Sequence, residues 1–168
     1  MDARLMPIFK RRSVRKFTGA PVTAADVTAL LEAGMSAANA RNLRPWHFVV
    51  VTDKARLAEL ATIHPYGPML AEAGAAIAVC GDLDVSPDFW VHDCAAATEN
   101  ILVAAAMLGL GSVWLGVWPR ADREESVGKY LGVPQNARIM SLIAIGHPAE
   151  EPTPRTQYDK TRVHAERW

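Results

Sequence analysis

Cysteine is scarce in this chain: the 168 residues hold two, Cys80 and Cys94, with no CxxC spacing and no zinc-type pattern around them. That excludes a disulfide-stapled mini-protein and leaves two buried free thiols in a reducing cytoplasm as the expectation. Net charge is absent as well, with 18 Lys+Arg against 18 Asp+Glu. A general nucleic-acid binder needs a basic excess over the face that meets phosphate, so that class of partner is not expected. The first 16 residues lack an apolar signal core and a small-residue cleavage site, so a cytoplasmic protein is expected. Only one long uncharged run exists, residues 101–118. Gly109, Gly111, Ser112 and Gly116 interrupt it and Pro119 closes it, so it reads as a helix end followed by a buried strand rather than a membrane span. Also missing are GxSxG, HExxH, GxGxxG and Walker-type motifs, and the five histidines lie far apart. An enzyme built on this chain would take its chemistry from a cofactor.

What is present is a 50% hydrophobic composition, enough for one domain with its own core. The opening residues read as a short helix. Thr23 begins TAAD, a capping-box-like start for a helix reaching about residue 38. WHFVVVT reads as a buried strand, Asp53 caps a helix through Ile63, and AAIAVCGD is a second strand. Residues 89–108 form an Ala-rich central helix, with Val91, Ala95, Thr98, Leu102 and Ala105 along its core face. A third strand over residues 111–117, a helix over 121–131 and a fourth strand, ARIMSLIAIGH, follow. Residues 1–147 are therefore the core of a single mixed α and β domain. Residues 148–168 form a polar, proline-rich tail whose Tyr158, Val163 and Trp168 suit docking on a partner subunit.

Charge is uneven along this neutral chain. Residues 1–44 carry eight Lys/Arg and three Asp/Glu, residues 45–110 carry two and eight, and the remainder eight and seven. Thirteen of the 18 cations are Arg, the side chain suited to bidentate anion recognition. Three constellations stand out. KRRSVRKF, residues 10–17, places five cations around a hydroxyl; in an extended segment Arg11, Ser13 and Arg15 face one way while Arg12 and Val14 face elsewhere. It reads either as a phosphate-binding cluster or as a solvated basic turn. AANARNLRPWHF, residues 37–48, is a polar loop at a strand mouth, either a ligand loop or a capped helix end with a turn. GSVWLGVWP, residues 111–119, offers Gly111 and Gly116 either for close approach to a flat ligand or for packing.

RRSVRKF, NLRPWHFVVV, WVHDCAAATENILVAAAMLGLGSVWLG, IAIGHPAEEP and YDKTRVHAERW, in that order, resemble the nitroreductase family of small flavin enzymes across nearly the whole chain. The resemblance implies an α+β fold with a mainly antiparallel sheet around a long central helix. It implies an intertwined homodimer with FMN at the interface and the tail lying across the partner. Carried over position by position, Arg11, Arg12, Ser13 and Arg15 match the cofactor-binding cluster, with Arg15 nearest the pyrimidine edge of the flavin and Arg11 towards the phosphate. Ala38, Asn39, Ala40 and Asn42 match the loop that meets the neighbouring subunit's flavin, and Trp114, Leu115 and Gly116 the strand end along the isoalloxazine ring. Arg155 is the candidate second phosphate cation, with Arg162 in reserve. Arg41 is a candidate contact to an anionic substrate, and Arg41 and Arg44 are candidates for the phosphate of the nicotinamide donor. The implied activity is ping-pong: NADH or NADPH gives hydride to flavin N5, then a nitroaromatic, quinone or similar planar acceptor takes its place, with Arg15 stabilising the reduced flavin. The alternatives are a specialised relative on the same fold, performing dehalogenation, enoate reduction or flavin breakdown, and a non-catalytic flavin-binding dimer.

Overall fold

The computed structural model describes residues 1–168. Four strands, β1 (Trp46–Val51), β2 (Ala75–Asp82), β3 (Gly111–Gly116) and β4 (Ala137–Gly146), form one sheet in the order β1-β2-β4-β3. Every pairing is antiparallel, and the fold is α+β, as the resemblance implies. β2 is buried along nearly its whole length because both faces of the sheet are covered. Its alternate residues serve two separate cores: Ala76, Ala78 and Cys80 enter one with Leu57, Leu60 and Val127, while Ala75, Ile77 and Val79 enter the other with Leu30, Ala97 and Ile101. The continuous apolar run thus reflects a sheet sandwiched between helical layers.

One layer holds α2 (Ala24–Met35) and α4 (Trp90–Met107), the other α3 (Lys54–Ile63) and α5 (Ala121–Leu131). Thr23 and Asp53 accept from Asp26 N–H and Arg56 N–H, the caps expected from the sequence. α2 stops at Met35, three residues before the expected end, where the Ser36 hydroxyl folds back onto the Glu32 carbonyl. The buried stripe of α4 is also rotated from the expected one. It runs through Trp90, Asp93, Cys94, Ala97, Thr98, Ile101, Leu102 and Ala105, leaving Val91 and Ala95 half-buried. The sheet sets that rotation, because Trp90, Cys94, Ala97 and Ile101 pack in one core with Ile77 and Val79 of β2. The uncharged run at 101–118 divides into the end of α4, a turn and β3, and no helix is long and apolar enough to cross a membrane. Both thiols are buried and free, and burial pushes each up to about 12.

The N-terminal helix α1 (Met6–Lys10) hands the chain to the open edge of β3. There Ser13 pairs with Ser112, Val14 N–H donates to Ser112 O at 2.9 Å, and Phe17 pairs with Pro148. Val14 and Phe17 are buried in the core, and each contributes about 1.5–3 kcal/mol through that burial. The basic segment is therefore fastened by its apolar residues while Ser13 and Arg15 remain exposed.

Candidate active site

The cations at residues 11 and 12 do not alternate as expected. Arg11 ends α1 and extended pairing begins only at Ser13, so both Arg11 and Arg12 line the same cleft with Ile8, Phe9, Arg155, Thr156 and Gln157. This cleft has a volume of about 200 Å³. Arg11 Nε is held by Glu99 of α4 at 3.1 Å, and Arg12 donates to the Thr153 carbonyl at 2.7 Å, which fixes both stems. Arg12, Arg15 and Arg155 form no ion pair. Arg155 is brought to the cleft by its own N–H, which donates to Phe9 O at 3.1 Å. Arg162 lies outside this cleft, exposed and paired with Asp159 at 3.2 Å.

The first part of the tail docks on its own chain. Glu150 accepts from Arg15 N–H at 2.7 Å and from Lys16 N–H at 3.2 Å, and Ala149 N–H donates to Lys16 O. The Arg15 N–H, with smaller help from Lys16 N–H and the two cationic side chains, holds the Glu150 carboxyl below its usual range. Beyond residue 155, Tyr158, Val163 and Trp168 are exposed.

At the far end of β3 the geometry differs. Gly111 is a packing glycine, since a Cβ there would meet Val14 at 2.7 Å, whereas a Cβ on Gly116 would meet nothing within 4 Å. The Leu115 side chain enters the core between the sheet and α3/α5, and Trp114 packs half-buried on the α4 side. Only the backbone of Leu115 is left to face a ligand. The Gly116 carbonyl accepts from Arg123 Nη1 at 2.8 Å and lies 3.2 Å from His64 Nε2. Tyr66 N–H donates to His64 Nδ1, so the proton sits on Nε2 and is donated to Gly116. His64 is 1% exposed, and burial pushes its pKa down despite the Gly116 bond. Residue-type motifs could not reveal His64 and Arg123, because neither belongs to a spaced pattern.

The polar loop takes a third position, at the N-terminal end of α4. Ala40 N–H donates to Asp93 at 2.8 Å. The Asn39 carboxamide oxygen accepts from Arg44 N–H at 2.9 Å, which closes the loop on itself. Ala38 and Asn42 are exposed, and the Arg41 guanidinium lies 5.8 Å from the Phe89 ring centroid. Asp93 and Glu99 stand six residues apart on α4, roughly 9 Å along its axis and about 120° around it. The structure thus brings Arg11, Arg12 and Arg155 together, and places the 38–42 loop elsewhere on the same helix.

Fold and site together define a class: a three-layer α+β domain with an arginine-lined cleft at one end of an edge strand and an open glycine at the other. The sequence model of the nitroreductase family matches residues 8–72 and 64–147. An Archaeoglobus fulgidus protein provisionally named NADH dehydrogenase/NAD(P)H nitroreductase is 41% identical, with all of both chains aligned. A crystal structure under the same provisional name from Bacteroides thetaiotaomicron is 42% identical with a TM-score of 0.95, covering 100% of this chain and 99% of that one. A provisionally named nitroreductase from Desulfovibrio desulfuricans, solved in complex with FMN, is 28% identical with a TM-score of 0.83, covering 100% and 99%. The chain belongs to the nitroreductase family.

Proposed function

We propose that this protein is an FMN-dependent oxidoreductase that uses NADH or NADPH to reduce nitroaromatics, quinones or similar planar acceptors, and that it works as a homodimer. The observation that carries the reading is the polarity of β3: Arg11 and Arg12 line a cleft with its first residues, Gly111 and Ser112, Arg155 joins them in the adjoining cleft, and Gly116 faces open space at the strand's end. Ser112 and Gly116 are four residues apart, roughly 13 Å along the strand. That spacing suits an elongated ligand with an anion at one end and a flat ring at the other. The residues present fit FMN in both respects. Arg11, Arg12 and Arg155 would hold its phosphate, Ser13 and Arg15 would meet its polar edge, and the backbone of residues 114–116 would lie along the ring. When bound, the flavin supplies hydride and electron transfer that no side chain in the site can perform.

The chain's own residues supply position and charge. Glu99 and the Thr153 carbonyl fix the guanidinium groups before any anion arrives, so less ordering is lost on binding. Arg15 is exposed and unpaired, so its charge is available to stabilise negative charge on a bound ring. The homodimer is supported by apolar side chains left exposed on α1, α2 and the end of α4, Ile8, Met35, Met107 and Leu108. It is also supported by the separation between the 38–42 loop and the arginine cleft, which lets each subunit contribute to its neighbour's site.

The test is the visible spectrum of the purified protein during anaerobic addition of NADPH and then NADH. Flavin bands that bleach and return with menadione or a nitroaromatic are expected. Bound flavin that neither nucleotide bleaches overturns the enzymatic reading, and failure to take up FMN overturns the whole. Arg15→Ala should slow bleaching and weaken FMN binding; retention of both would remove Arg15 from its role. Light scattering on the eluting peak should give twice the 18.3 kDa chain mass.

A further inference from the structure

Asp93 is the one acidic residue on the buried stripe of α4, and it is 3% exposed. One carboxylate oxygen accepts from Ala40 N–H at 2.8 Å; the other is buried with no partner. A half-satisfied buried carboxylate is costly, although its place in the first turn of α4 offsets part of that cost. An apolar side chain would fill the same space without the penalty, so packing alone does not account for it.

The loop that Asp93 holds is under backbone strain. Arg41, Asn42 and Arg44 all adopt left-handed φ values, 54°, 56° and 54°. Asn tolerates this region, whereas two arginines in four residues do so only when their surroundings impose it. The ends are pinned by buried Ala37 on one side and buried Pro45 and Trp46 on the other. Between them, the Asn39 carboxamide closes the loop onto Arg44, and the one side-chain hydrogen bond that ties the loop to the helix below is donated by Ala40 N–H to Asp93. Phe89, one residue before α4, adds a looser contact beneath Arg41.

We propose that Asp93 is a positioning residue that holds the 39–44 loop in its strained form, so that Ala38, Ala40 and Asn42 are presented to FMN already arranged. This rests on the reading of that loop as a cofactor segment. Asp93 acts through Ala40 and does not touch the cofactor. Its carboxylate replaces ordering that the ligand would otherwise have to impose, and its removal appears as lost affinity rather than lost chemistry.

The experiment compares Asp93→Ala and Asp93→Asn with the unaltered protein by three measurements. The first is trypsin cleavage after Arg41 in flavin-free protein, followed by mass spectrometry. The second is the FMN dissociation constant, and the third is kcat against KM for NAD(P)H at saturating FMN, with thermal midpoints as the check on folding. Asp93→Ala should be cut at least tenfold faster after Arg41 and bind FMN at least tenfold more weakly, with kcat within about twofold. Asp93→Asn keeps an oxygen for Ala40 N–H and should stay within about threefold throughout. Unchanged cleavage and FMN affinity in Asp93→Ala overturn the proposal. So does equal damage in Asp93→Asn, which alone carries the test if Asp93→Ala does not fold. If the unaltered protein binds no FMN, the proposed function fails, while the cleavage ratio still decides whether Asp93 holds the loop.

Discussion

The two ends of β3 are fixed by different forces. At the Gly111 end the basic segment is laid against the strand by backbone pairing and anchored by Val14 and Phe17, with Gly111 giving up its side chain so that Val14 can sit there. At the Gly116 end Leu115 and Val117 also enter the core, but the glycine between them is held by polar bonds. A carbonyl is held by His64 and Arg123, and the glycine faces open space. Apolar contacts carry no titrating group, whereas burial keeps His64 neutral, which costs stability in acid. One strand thus carries a charge-presenting end held by apolar packing and an end whose stability depends on a buried histidine.

The largest effect expected from this contrast is Phe17→Ala, which should destabilise the protein by about 3–5 kcal/mol in denaturant unfolding and release the arginine segment. A loss below about 1 kcal/mol would show that the segment is not anchored there. Gly111→Ala forces its Cβ against Val14 and should cost about 1–3 kcal/mol, with FMN affinity falling in parallel. Next is the proton-dependent end. The pKa of His64 is lowered on folding from 6.5, so below that pH the unfolded chain binds a proton that the folded chain refuses. Its contribution is complete above about 6.5 and declines as pH falls; His64→Gln should flatten the stability profile in that window, at a cost of about 1 kcal/mol at pH 7.5 from the weakened bond. Glu150 introduces acid sensitivity at the other end, but lower on the scale. Its carboxyl lies below 4.5, so its hold on Arg15 and Lys16 persists above 4.5 and is lost as pH falls further, a dependence that Glu150→Gln should remove. The smallest effect on stability belongs to Gly116→Ala, within about 0.5 kcal/mol or slightly stabilising. Its FMN affinity should nevertheless fall, and an unchanged dissociation constant would mean that no ring approaches this end.

Local chemistry made most of the fold legible. Thr23 and Asp53 cap the helices they precede, and the four strands fall on the β-branched and apolar runs. Two expectations differ from the structure, each for its own reason. Residue type alone does not place the buried stripe of α4, because an Ala-rich helix presents small residues on several faces, and only packing against β2 selects among them. Once rotated, the stripe contains Asp93, a charge on a core face, which is the signal that could have marked it. Arg11 and Arg12 share a cleft because the chain leaves α1 at that point, so strand alternation does not yet apply.

Legible from residue type and near-neighbour spacing were one mixed α and β domain, the want of any side-chain catalytic motif, and the arginine-rich segment with its hydroxyl, all of which the chain carries wherever it folds. Long-range packing is what selects the open glycine of β3, joins Arg155 to Arg11 and Arg12, and sets His64, Arg123 and Asp93 against backbone atoms of Gly116 and Ala40. Most of those contacts join residues far apart in the chain, 53 positions in the case of Ala40 and Asp93. Their geometry exists only once two helical layers have closed on the sheet.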